Sequence, residues 1–142
     1  MSKIIVCYLF TGFDDHKNII NFINHYSQYN AGTEHSLLIC FKMIKENDIL
    51  AIKNHLKNIN YIEFVDPVTT NDYDFGSYKR VSKLYQDKQI LFLNSHSYPI
   101  CDNWLLKLTN NNNDNILIGT SASNESLVDS FKLKKDISFF HI

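Results

Sequence analysis

Short apolar runs alternate with helix-period segments along most of this 142-residue chain, and that alternation constrains its fold more than any other feature. Lys3 to Phe10 reads as a first strand. Asp14 or Asp15 then caps a helix that sets Ile19, Phe22, Ile23 and Tyr26 on one face, an i, i+3, i+4, i+7 pattern. Asn30-Ala31-Gly32 ends that helix, and Gly32 suits a left-handed cap. His35 to Lys42 is a second strand. Asn47 to Lys57 is a helix with Ile49, Ile52 and Leu56 aligned. Asn60 to Val65 is a third strand, closed by Asp66-Pro67. Val68 to Phe75 is a polar loop, and Gly76 to Gln86 a helix with Tyr78, Val81 and Tyr85 aligned. Lys88 to Leu93 is a fourth strand, Asn103 to Thr109 a short helix, and Ile116 to Thr120 a fifth strand. The tail carries one helical turn near Leu127 and a final extended piece, Ile137 to Ile142.

Strand–helix alternation predicts a three-layer α/β/α fold with a mostly parallel central sheet, as one domain over residues 1–142. Ile5, Cys7, Leu38, Ile39, Leu91 and Leu93 are its expected buried strand residues. Hydrophobic residues make up 44% of the chain, enough for a packed interior and too many for a disordered one. The net charge of −1 gives no electrostatic reason to bind nucleic acid or an anionic membrane. The apolar runs are too short to span a bilayer. The N-terminal run lacks a small-residue cleavage site and reads as a strand, not a signal peptide. Cys7, Cys40 and Cys101 form no Cys-x-x-Cys pair and are odd in number, which points to a reducing, cytoplasmic location.

Parallel sheets bind ligands beyond the carboxyl ends of their strands. Those ends supply Thr11-Gly12-Phe13, Lys42-Met43, Asp66-Pro67 and Asn94-Ser95-His96. If the strand order reverses between the first and fourth strands, the crevice lies between Thr11 and Asn94. The richest stretch is Gln89 to Trp104. It begins as an apolar strand expected to be buried on both faces, then breaks into Asn94, Ser95, His96 and Ser97. Pro99 follows, and Asp102 stands where it can cap a helix carrying Trp104 and Leu105. There is no Gly-x-Gly-x-x-Gly, no Walker lysine loop and no Gly-x-Ser-x-Gly elbow, which disfavours dinucleotide, P-loop and hydrolase readings.

Four segments carry a family resemblance: Ile4–Phe10, His35–Phe41, Asn71-Asp-Tyr-Asp-Phe-Gly-Ser-Tyr-Lys-Arg80, and Leu93-Asn-Ser-His-Ser-Tyr-Pro-Ile-Cys-Asp-Asn-Trp-Leu105. Over residues 3 to 125 the chain resembles the nucleotide-binding half of a GT-A-type, family-2-like glycosyltransferase. The spacing from Leu93 through Pro99 to Trp104-Leu105 is the most specific part. The resemblance implies a nucleoside diphosphate sugar as donor, a glycan acceptor and a divalent metal, manganese or magnesium. It implies donor contacts at Thr11, Asp74, Asn94 and His96, with His96 as a metal ligand. Asn94 and His96 replace the two aspartates of the family's Asp-x-Asp motif, and hard cations prefer carboxylate oxygens. Lys42 stands near where the family carries a base-reading aspartate. The family's catalytic base lies in a C-terminal half, so the expectation is a reduced catalyst; Asp102 and Glu125 are the nearest base candidates.

Several residues admit two readings. Asp74 is either a ligand contact or a helix cap. Gly76 would permit a ligand to approach the backbone closely. Lys79 and Arg80 either neutralise a diphosphate or form a solvated face. His96 either touches ligand or ties its loop down. Trp104 reads as core, and His16, His25, His35, His55 and His141 show no metal spacing. Two functions compete: a sugar-nucleotide-binding transferase, and a non-catalytic nucleotide- or glycan-binding module whose exposed edge favours self-association into homo-oligomers.

Overall fold

The computed structural model describes residues 2–110. The elements are β1 (Ile4–Thr11), α1 (His16–Gln28), β2 (Ser36–Lys42), α2 (Glu46–Leu56), β3 (Ile62–Val65), α3 (Tyr73–Leu84), β4 (Gln89–Leu93) and α4 (Trp104–Thr109). The sheet order is β3-β2-β1-β4, and every strand pair is parallel. The α/β architecture with a parallel sheet is therefore the one the chain adopts. The expected fifth strand at Ile116 to Thr120, the tail beyond it, Glu125 and His141 lie outside the described residues.

Alternation along β1 explains the layers. Ile5, Cys7 and Leu9 join Leu38 and Cys40 of β2 and Val81 of α3 in one apolar cluster, all almost fully buried. Tyr78 of α3 stacks on Phe92 of β4 on that side, with ring centroids 4.4 Å apart. Tyr8 belongs to the opposite face and stacks on Phe22 of α1, centroid to centroid 4.0 Å. Ile19, Phe22 and Ile23 are the buried stripe of α1; α2 lies beside that helix and buries Ile49, Ile52 and Leu56. Asp15 caps α1, its Oδ1 accepting the Lys17 amide at 2.9 Å.

β4 departs from expectation. Leu91 and Leu93 are half-buried, unlike the fully buried Ile5, Cys7, Leu38 and Ile39. Among the described residues β4 pairs with β1 alone, whereas β1 and β2 each pair on both sides. Leu91→Ala should therefore cost about 1–2 kcal/mol, below the roughly 2–5 kcal/mol of a fully buried leucine such as Leu38. Urea titration of the two alanine variants side by side checks the ordering.

Three local expectations also need correction. α3 starts at Tyr73, not Gly76, so Asp74 lies inside its first turn and does not cap it. Asn71 Oδ1 accepts the Tyr73 amide at 3.1 Å and sets the earlier start. Asp102 does not cap α4; its Oδ1 accepts the Asn30 amide at 2.9 Å. The Leu105 and Leu106 amides instead donate to the Ala31 carbonyl, which satisfies groups a capping side chain would otherwise serve. Gly32 does adopt a left-handed φ of 80°, but α1 ends earlier, with Tyr29 as its C-cap. The left-handed turn at Gly32 serves the approach to β2, packed against Asn103.

The cysteines divide cleanly. Cys7 and Cys40 are buried, and burial pushes both thiols up, Cys40 to about 12. Cys101 is half-buried, with Lys107 Nζ 3.4 Å from its sulfur. A thiol reagent at pH 8 should label Cys101 in the native protein and reach Cys7 and Cys40 only after denaturation. Peptide mapping after each treatment reads this directly.

Candidate functional site at the carboxyl edge of the sheet

β1 leads through β2 to β3 on one side, and β4 returns to the other side of β1. That reversal between β1 and β4 is the switch point where parallel sheets open a crevice. The arrangement carries a polar hub there. Asp14 Oδ2 accepts the Thr11 amide at 2.7 Å and the Thr11 hydroxyl at 2.8 Å. Its other oxygen accepts the Ser95 hydroxyl at 2.6 Å. The buried Tyr8 hydroxyl donates to the Ser95 carbonyl at 2.8 Å. The end of β1 and the loop after β4 are thus tied through one carboxylate.

Asn94 organises the next turn. Its Oδ1 accepts the His96 amide at 3.2 Å and the Ser97 hydroxyl at 2.8 Å, and its carbonyl accepts the Ser97 amide at 3.1 Å. Asn94 and His96 are exposed, while Ser95 between them is buried. From there the chain runs beside α1: the Pro99 carbonyl accepts from His25 Nδ1 at 2.9 Å, and Tyr98 packs on the His25 ring. Trp104 is buried against Tyr26 and His35, as core.

A second network lies beside the hub. Thr11 and Lys42 are register partners, and the Gly12 amide donates to the Lys42 carbonyl at 2.9 Å. Gly12 lies so close to the Met43 carbonyl that a Cβ there has no room. Lys42 is 2% exposed and extends its ammonium to Asp72 and the Tyr73 carbonyl at the start of α3. Arg80 bridges Asp72 at 2.7 Å and Asp66 at 2.6 Å. Asp66 also accepts the Ser77 hydroxyl and, at 3.0 Å, the Val68 amide. Burial by itself raises the Asp66 carboxyl; its bonds from Arg80, Ser77 and Val68, with the Arg80 charge, outweigh that and hold it below the usual range. Hydrogen bonds from Arg80 and then Lys42 hold Asp72 far below it. Two cations face two carboxylates, so the network is internally neutral.

These contacts decide several open readings. Arg80 is committed to Asp66 and Asp72, and Lys42 to Asp72, so neither cation is free for a diphosphate. The space at Gly76 is taken by the Asp72 carboxylate, which a Cβ would strike. Gly76 makes room for an ion pair, not for a ligand. Thr11, Asn94 and His96 gather around the Asp14 hub. Asp74 sits at the same edge of the sheet but next to Asp72, on the side of the Lys42 network. Asp14 is named in the sequence as a cap candidate, and Asp66 and Ser95 only as strand-end residues; their places in the two networks come from the structure. The Thr11-x-x-Asp14 spacing was the available signal, masked by Asp14 doubling as a cap candidate.

A divalent cation at His96 does not fit the donors present. No group of three His, Cys, Asp or Glu side chains among the described residues is arranged to hold a metal. Asn94 Oδ1, in the turn that holds His96, already accepts two hydrogen bonds. One imidazole and one engaged amide make a poor seat for manganese or magnesium.

No family model, no curated protein and no solved structure matches the chain. The likeness to glycosyltransferases therefore rests on the four sequence segments and on no matched relative. Among the described residues no helix is long and apolar enough to cross a membrane.

Proposed function

We propose that this chain is a glycosyltransferase-like α/β domain that takes a nucleoside diphosphate sugar at the carboxyl edge of β1 and β4. One observation carries the reading: the strand order reverses between β1 and β4, and the residues after both strands converge on Asp14. The exposed groups around that hub are Asn94, His96 and the ring of Phe13, a set suited to hydrogen bonding and stacking with a nucleoside. The cations beside it are already paired, so the diphosphate receives little countercharge. Affinity should be weak, with Kd on the order of 1 mM, equivalent to about −4 kcal/mol.

The same chemistry favours binding over turnover. Leaving-group departure from a diphosphate draws on charge neutralisation that Lys42 and Arg80, already paired with Asp66 and Asp72, do not offer. The non-catalytic module is accordingly the form of the function we favour, with the transferase scheme as its structural origin. Titration of uridine and guanosine diphosphates, with and without manganese, followed by amide NMR shifts, tests it. Saturable shifts at residues 11–14 and 94–97 support the reading. Shifts confined elsewhere, or none, refute it. Robust sugar transfer by the unaltered chain would overturn the non-catalytic assignment while leaving the donor site standing.

A further inference from the structure

The opposite, amino-terminal edge of the sheet holds a hollow of about 440 Å³. It is formed by the end of α1, the start of β2, and the turn from α2 into β3. Its volume lies within the range of small-ligand sites. We propose that this hollow is a second binding site, one that takes an uncharged saccharide ring.

The lining chemistry supplies the argument. Tyr26, His35 and Tyr61 bring aromatic surface, Leu37 an apolar patch, and Asn58 and Asn60 carboxamides. Among the described residues no Lys, Arg, Asp or Glu lines it. An anionic ligand would find no countercharge, and a cation no carboxylate. A purely apolar ligand would leave the amides without partners. A neutral ring that has C–H faces and a hydroxyl rim satisfies both halves: its faces pack on the rings, and its hydroxyls pair with the amides.

The internal hydrogen bonds indicate which groups are left to serve the ligand. His35 Nδ1 donates to the Thr33 carbonyl at 3.0 Å, so in the neutral ring Nε2 accepts the Tyr26 hydroxyl at 2.6 Å. Those polar tips are spent on each other and fix the two rings. The side chains of Asn58 and Asn60 are exposed and make no hydrogen bond with other described residues. They are the groups free to read hydroxyls.

The chain has a single tryptophan, Trp104, and its ring lies 6.0 Å from His35 and 6.3 Å from Tyr26. Its fluorescence therefore reports on the walls of the hollow. The full chain is titrated with glucose, galactose, N-acetylglucosamine and maltose, reading Trp104 emission and the amide shifts of residues 58–62. At least one sugar should give a saturable response, weakened about tenfold or more in Tyr61→Ala and in Asn60→Ala. Circular dichroism confirms that the variants fold, and the smaller change Asn60→Asp, which removes the amide donor, provides a second reading. The absence of any saturable sugar response at residues 58–62 overturns the proposal. So does a response there to inorganic phosphate or uridine diphosphate in place of sugar. The donor site at residues 11–14 and 94–97 is read by different amides, so each proposal can fail without the other.

Discussion

Asp66→Ala is expected to destabilise the protein by about 3–5 kcal/mol, the usual cost of removing one partner from a buried ion pair. The Asp66 side chain is fully buried and takes bonds from Arg80, Ser77 and the Val68 amide. Its loss strands the Ser77 hydroxyl and the Val68 amide at the carboxyl end of β3 and leaves Arg80 with Asp72 alone. Urea denaturation at pH 7 measures the effect. The pH dependence follows in sign. Asp66 and Asp72 both have folded pKa values below their ordinary ones. Their contribution is fully present above the unfolded carboxylate pKa, about 3.9. It is lost as pH falls below about 4 and through the lowered folded values. The wild type should therefore lose stability steeply on acidification from pH 5 to pH 2. Asp66→Asn, already weaker at pH 7, should show a shallower slope. Equal slopes in the two proteins would mean that Asp66 carries no linked proton.

Asp14→Ala is the second large effect, about 2–4 kcal/mol. Asp14 is half-buried and accepts three hydrogen bonds, and a bond to a charged group contributes roughly 1.5–3 kcal/mol, here reduced by water reaching the site and by non-additivity. The loss should be local as well as global. With Asp14 gone, the hydrogen bond left to Ser95 among the described residues is the one its carbonyl accepts from Tyr8. Amide exchange at Ser97, whose N–H closes the Asn94 turn, should quicken beyond what the global destabilisation explains. Asp14→Asn should fall between, because a carboxamide offers one acceptor oxygen where the hub uses two. An Asp14→Ala variant with unchanged exchange at residues 94–97 would show that the loop holds itself.

The helix faces were legible because they depend on spacing alone. Ile19, Phe22 and Ile23 on α1 and Ile49, Ile52 and Leu56 on α2 are buried as their i, i+3, i+4 pattern requires. The start of α3 was not legible. Asp74 and Asp72 are equally good capping residues by type; Asp72 takes the N-cap position, but its carboxylate is engaged by Lys42 and Arg80, 30 and 8 residues away in sequence, and not by the helix. Arg80 was misread for a related reason: a charged helix residue is usually solvated, and its two carboxylate partners come from the β3 terminus and the start of its own helix. Leu91 and Leu93 have the apolar character of an inner strand. How deeply they are buried depends on what lies beside β4, which local periodicity does not encode.

What the sequence alone determined is the set of elements and the inward face of each helix, because both follow from residue spacing of 2 or 3.6 along a single segment. It also placed Thr11 and Asn94 at strand ends. Whether those ends meet was decided by the return of β4 beside β1, a choice made by packing α3 over Cys7, Leu9, Cys40 and Phe92. The same packing brought Asp14 to Ser95, 81 residues apart, and buried Lys42 against Asp72. Contacts of that kind come from chain segments that have no reason to meet until the hydrophobic layers assemble, so tertiary structure alone decides which polar residues at the edge remain free for a ligand.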